Sequence, residues 1–140
     1  MSQGLPNRMM VKDSTGIPRA AMPGDGPLLN LKPTALTTVG AGALLAALLL
    51  TGMILRTGPT GAYADTIDTG ANLDTAFPNL EVGESIFLFF VNSVAFACTI
   101  TAAAGVTLGS ATANNVIAAS TGRLLMLRKT ATATYVLYVI

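Results

Sequence analysis

Short apolar segments separated by turn residues predict a mainly β protein: a β-sandwich or jelly-roll-like domain preceded by an extended N-terminal arm and a short apolar helix. Three observations carry this. Residues 62–140 break into six or so runs of strand length with turn signals between them. Several of those runs alternate, as in ACTITA and GVTLG, with Cys98, Ile100 and Ala102 on one side and Thr99 and Thr101 on the other. Finally, 51% of the 140 residues are apolar and only 11% are charged, against a usual charged share of about 25%, so much of the surface needs a cover.

Residues 1–33 hold five of the seven prolines and four glycines, with no apolar period of helix or strand. Proline fixes its own backbone angle, lacks an amide donor and biases the preceding residue away from helix. Such a segment builds no core alone and is expected to lie on a partner surface as an extended arm.

Residues 34–61 form the expected helix and connector. Thr34 to Leu55 is twenty-two residues without a charge. Within it, AGALLAALLL places Leu44, Leu45, Leu48 and Leu49 on one helical stripe, which predicts about three turns near Ala41 to Leu50. Met53 to Arg56 reads as a short strand running into a Gly- and Pro-rich turn. A continuous helix over the whole stretch would be about 33 Å long, enough to cross a bilayer. Clustered Gly and Thr and the lack of Trp or Tyr at its ends argue instead for a segment packed in protein, so a membrane span is the rival reading. An export signal fits less well still, because the small-x-small triplet at Ala62 to Ala64 follows an apolar block lying far from the N-terminus.

Residues 62–140 form the expected β-sandwich domain. A short helix near Ala71 to Ala76 is started by Asp68 or Thr69 and stopped by Pro78. SIFLFFVN, Ser85 to Asn92, is apolar on both faces and reads as a central strand covered on each side. NVIA, RLLMLRK and TYVLYVI supply further strands, the last one central or buried against a neighbouring subunit.

The chemistry available is narrow. There is no histidine, which removes Ser-His and Cys-His nucleophiles and the commonest zinc ligand, and Cys98 sits alone in an apolar run. Asp65, Asp68, Asn72 and Asp74 lack the alternating spacing of a calcium loop. No phosphate-binding glycine motif occurs, and a net charge of +1 draws the chain to no nucleic acid. Asp65, Asp68, Asp74, Glu81 and Glu84 are the only charges between Arg56 and Arg123; they read as turn caps, a solvated rim, or partners of a basic arm. The expectation is no enzyme, no cofactor and no metal.

GMILRTGPTGAYADTIDTGANL, VGESIFLFFVN, TITAAAGVTLG and TATATYVLYVI together resemble small virion surface proteins of tailed bacteriophages, over roughly residues 52–140. The resemblance implies a structural virion protein at the capsid surface, decorating or cementing a phage head; the expected partner is the major capsid protein or another virion protein, and the expected assembly is a homotrimer. A tail or fibre adaptor and a membrane-anchored virion or envelope protein are the alternatives. On the leading reading the arm carries the partner interface, with Arg8, Met9, Met10, Lys12, Ile17, Arg19, Leu28, Leu29 and Lys32 as its contact residues. Each apolar side chain buried there is worth about 1.5 to 3 kcal/mol before ordering costs.

Overall fold

The computed structural model describes residues 10–12, 18–20, 33–109 and 112–140. The chain divides into two compact units, Met1–Asn30 and Leu31–Ile140. In the first, β1 (Met10–Lys12) and β2 (Pro18–Ala20) form an antiparallel ladder that pairs Val11 with Arg19. Of the arm residues expected to contact a partner, Met10, Lys12 and Arg19 fall in this ladder. Arg8, Met9, Ile17, Leu28, Leu29 and Lys32 lie outside the described residues.

The second unit is mainly β, as the alternation predicts, and is built from two sheets sharing one core. The larger sheet contains β3 (Thr34–Leu36), β5 (Met53–Arg56), β7 (Ser85–Asn92), β9 (Val106–Leu108), β11 (Thr121–Ala131) and β12 (Thr134–Val139), in the order β3-β5-β7-β11-β12-β9. The smaller contains β4 (Gly42–Leu44), β6 (Tyr63–Ile67), β8 (Cys98–Ala102) and β10 (Val116–Ile117), in the order β10-β8-β6-β4. Both are mixed: β3-β5-β7 and β4-β6-β8 run parallel, while β7-β11-β12 and β8-β10 run antiparallel. Parallel neighbours need crossovers, and the chain supplies them by stepping from one sheet to the other between successive strands. The core fills from both sides, with Leu44, Ile67, Cys98, Ile100 and Ile117 meeting Ile54, Leu88, Phe90, Leu125, Leu127 and Leu137.

Three expectations are corrected. The Ala- and Leu-rich stretch is not a three-turn helix: it divides into β4 and a single turn, α1 (Ala46–Leu49). Gly40 and Gly52, both at positive φ, bound the segment, and Gly42 to Leu44 pair with Asp65 to Ile67 of β6, an alternative to helical bonding that local propensity does not register. Leu44 and Leu49 are buried and Leu48 is partly buried, but Leu45 is exposed, so the supposed stripe does not face the core as a unit. Residues 34–61 are accordingly part of both sheets and not a connector. No helix among the described residues is long and apolar enough to cross a membrane.

The third correction concerns β7. It is central, between β5 and β11, yet it is covered on one side only: Leu88, Phe90 and Asn92 point into the core while Phe87 and Phe89 are 57% and 45% exposed. Strand β12 lies between β11 and β9, with Tyr135, Leu137 and Val139 buried. The short helix is α2 (Gly70–Ala76), and Thr69 caps it by accepting a hydrogen bond from the Asn72 amide at 3.3 Å.

Candidate functional site

Two kinds of feature stand out in the second unit: polar clusters inside it, and one apolar face outside it. The first cluster joins the two sheets. Arg56 ends β5 and Asp65 lies mid-strand in β6; both are fully buried, with Nε donating to Asp65 Oδ2 at 2.9 Å and Nη2 to Oδ1 at 3.2 Å. Nη1 donates to the carbonyls of Leu36 at 3.1 Å and Thr38 at 2.6 Å, and Nη2 also donates to the Gly40 carbonyl. All five guanidinium donors are thereby used. Asp65 Oδ1 also accepts from the Gly42 amide at 2.8 Å, and the guanidinium lies over the Tyr63 ring, 4.8 Å from its centroid. The chain leaves the larger sheet after Leu36 and joins the smaller one at Gly42, so this pair fixes the crossover. Nothing open to solvent reaches it, and it reads as a structural clamp.

A second bridge lies close by. The Tyr63 hydroxyl donates to Asn92 Oδ1 at 2.8 Å, and Asn92 Nδ2 donates to the carbonyls of Phe96 and Ala118 at 2.8 and 3.0 Å. Asn92 thus takes up carbonyls from the 93–97 turn and from the end of β10 that no ladder serves. Burial holds the Tyr63 phenol in its neutral form, with nearby Cys98 and Asp65 acting in the same direction. Burial also pushes the Cys98 thiol up to about 12, so it is not a nucleophile at neutral pH.

The remaining acids cap and anchor. Asp68 accepts from the amide of Ala46, the first residue of α1, and from Thr69 N and Asn72 Nδ2, which ties the two helix starts together. Burial would raise its carboxyl, but those three hydrogen bonds outweigh it and the pKa is lowered. Asp74 accepts from the Tyr135 hydroxyl at 2.6 Å, from Lys129 Nζ at 2.9 Å and from the Ala133 amide at 2.7 Å. The Lys129 hydrogen bond, followed by those of Tyr135 and Ala133, holds its carboxyl down at about 2. Glu84 Oε2 accepts from the Glu81 amide at 2.8 Å. Among the described residues there is no group of three metal-ligating side chains.

The apolar feature is the outer face of the larger sheet. Core-facing residues identify the alternation, and the pairing register then places Met53 and Leu55 of β5, Phe87, Phe89 and Val91 of β7, Leu124 and Met126 of β11, and Val136 and Tyr138 of β12 on the other side, with Ile140 just beyond β12. Phe87 lies opposite Met126 and Phe89 opposite Leu124. Arg128, next to Ser85 and Val136, is the one charge on these strands' outward positions. At the opposite end Thr121, Gly122 and the exposed Arg123 border a hollow of about 550 Å³ that Phe89, Ala118, Leu124 and Ile140 also line. The outer face of the smaller sheet differs in kind: Ala43, Ala64, Thr66, Thr99 and Thr101 are small or hydroxylated, Val116 of β10 is the one larger apolar side chain among them, and the Thr66 and Thr101 hydroxyls lie 2.8 Å apart.

Taking a Phe or comparable side chain at about 150 to 250 Å², the three most exposed members leave about 100 Å² each and the rest about 300 Å² together, roughly 600 Å² in all. That is at the upper end of the largest apolar patch on ordinary monomers, which is about 300 to 600 Å² and often functional. The sequence hides this face because FLFF reads as continuous burial; only the register with Leu124 and Met126 shows that alternate members share one uncovered side. Comparison with protein-family models, with curated proteins and with solved structures finds no match to this chain.

Proposed function

We propose that this chain is a structural protein of a virion, a non-enzymatic module that decorates or cements a phage head, assembling with its own copies through the β unit and with the capsid through its N-terminal arm. The observation that supports the assembly role is the outer face of the larger sheet: about 600 Å² of mostly Phe, Leu, Met, Val and Ile surface, with Arg128 at one end and Arg123 at the other, calls for a protein cover. Clamping suits such a role too. Arg56, Asn92 and Asp74 each tie loops to strands, so the surface presented to a partner is held in one shape before binding and little ordering cost is left. The virion setting comes from the sequence resemblance over residues 52–140, and the arm contributes through many weak attachments on a repeating lattice.

Immunogold electron microscopy of particles purified from the source lysate, with an antibody against residues 33–140, tests this directly. Label over the shell is the expected result; label on the tail moves the protein to an adaptor role, and unlabelled particles refute the virion reading. Removal of residues 1–33 is expected to abolish shell label while circular dichroism still reports a folded β unit.

A further inference from the structure

We propose that the outer face of the larger sheet is covered by the same face of a second copy, related by a two-fold axis that runs in the plane of the sheet and across its strands. The proposal rests on reading that face as a protein-docking surface, and it names the occupant and the orientation.

Size is the first argument. A stable interface buries about 800 Å² per partner, and roughly 600 Å² of apolar surface plus the polar rim of Ser85, Thr107, Thr121 and Arg128 reaches that scale. Chemistry is the second. Strand-borne acids are absent from the outward positions, so nothing there selects a basic partner, and the arginines lie only at the two ends; over its middle the cover must be as flat and as uncharged as the face itself. The smaller sheet, whose exterior is mostly Ala and Thr with Val116 as its one larger apolar side chain, does not meet that description, whereas the face meets it in every copy. Two twisted sheets packed about 10 Å apart are also the ordinary way in which sheet faces of this kind are buried.

Shape gives the orientation. Along β11 the outward positions run Gly122, Leu124, Met126, Arg128, from a hollow at one end to the bulkiest side chain at the other. A two-fold axis across the strands exchanges the ends. It lays the Met126 and Phe87 level of one copy over the Leu124 and Phe89 level of the other, so the phenylalanines meet, and it brings each Arg128 to the hollow beside the partner's Gly122. An axis along the strands would instead set the two Arg128 ends together and leave the two hollows facing each other unfilled; Arg123 lines the hollow as well, so an arginine meets an arginine under either axis, and it is the filling of the hollow that favours the axis across the strands. A face buried against its own copy closes at two, so the unit of assembly is a pair and not the expected trimer.

Sedimentation equilibrium on the full chain should give twice the protomer mass of 14.3 kDa. Phe87→Lys should shift it to the monomer with the circular dichroism spectrum unchanged. Orientation is read by oxidative cross-linking of Arg128→Cys chains mixed with Gly122→Cys chains. Both sites are exposed, a side chain at Gly122 meets only ordinary contacts from 3.5 Å outward, and native Cys98 is buried. The mixed disulfide should form well in excess of either like-with-like product. A monomeric wild-type chain, a Phe87→Lys chain that stays paired, or dominant Gly122→Cys self-cross-links would each overturn the proposal. Because mass and cross-links are read on the isolated protein, their failure leaves the immunogold result untouched, and unlabelled particles leave the pair untouched.

Discussion

Replacing Arg56 with lysine keeps the charge and most of the length of the side chain but removes the fork, and the structure lets its cost be worked out. The guanidinium uses five donors, two toward Asp65 and one each toward the carbonyls of Leu36, Thr38 and Gly40. An ammonium offers three, from a single point, and cannot reach two sheets and a crossover loop at once. At least two buried acceptors lose their partner, at about 1 to 3 kcal/mol each, and the planar contact with the Tyr63 ring goes as well. The expected loss is about 2 to 5 kcal/mol, out of a total stability of about 5 to 15 kcal/mol for a typical domain. For a unit of this size about 4 °C accompanies each kcal/mol, so melting should fall by roughly 10 to 20 °C.

Urea unfolding followed by far-ultraviolet circular dichroism measures this, with an unchanged slope indicating that the same surface unfolds. Arg56→Met should cost at least as much, about 3 to 5 kcal/mol, because it strands Asp65 as an unpaired buried acid. Hydrogen exchange at the Gly42 amide supplies a local reading: the bond to Asp65 Oδ1 should be strongly protecting in the wild type and lost early in Asp65→Ala. An Arg56→Lys chain within about 1 kcal/mol of wild type would refute the argument, since geometry and not charge would then be dispensable.

Other outcomes follow from the same contacts. Asp74 titrates near 2 in the folded chain against an ordinary 3.8, so its stabilisation is complete above that ordinary value and is lost as pH falls from about 4 through 2; melting curves across this window should show a steeper acid decline in wild type than in Asp74→Asn. Gly70→Ala should be severely destabilising, because a Cβ there would sit 1.9 Å from the Ala133 carbonyl oxygen, backbone that cannot move aside; chemical denaturation reads the loss. Cys98, buried and with its thiol pushed to about 12, should react with iodoacetamide at pH 8 only as fast as the chain unfolds, so labelling should rise steeply with urea near the unfolding midpoint. Ala133→Gly relieves a non-glycine residue at φ of 50° in the β11–β12 turn, and a small gain of about 0.5 to 1 kcal/mol in denaturant stability is expected.

What could be read in the sequence was whatever depends on short-range pattern. The mainly β class, the strands at Met53–Arg56 and Ser85–Asn92, and the short helix capped at Thr69 all follow from alternation, turn residues and capping chemistry within a few positions. Strand β6 did not declare itself, because its core-facing set Tyr63, Asp65, Ile67 has a carboxylate at its centre and breaks the apolar alternation. Its partner charge offers a signal that was there to use: in Met53–Arg56 the arginine shares parity with buried Ile54, so two successive strands each direct one charge inward, of opposite sign. The Ala-Leu stretch misled for the converse reason. Its local preference is helical, but the parallel pairing of β4 with β6 is a long-range contact that overrides it. The candidate interface was hidden in the same way, since which residues of FLFF are covered depends on a strand more than thirty residues downstream.

The distribution of charge links the interior to the proposed surface. Of the seven acids, Asp65, Asp68, Asp74 and Glu84 are engaged with backbone amides, and Asp65 and Asp74 also with basic or hydroxyl side chains. A soluble domain ordinarily spends most of its carboxylates on keeping its exterior wet and self-repelling. Here they hold loops and helix starts to the strands, and the widest sheet face is left with arginines at its two ends and no acid. A face of that kind in a free monomer would invite indiscriminate association; paired with its own copy in a fixed orientation it is sealed, and the rigid framework keeps the two faces matched. Introducing one charge at Phe87 therefore attacks association without touching the clamps. Replacing Arg56 does the reverse, weakening the fold and loosening the face only as a consequence. If both substitutions instead lowered stability and pairing in parallel at every protein concentration, the division between an internally pinned scaffold and a separate docking face would fail.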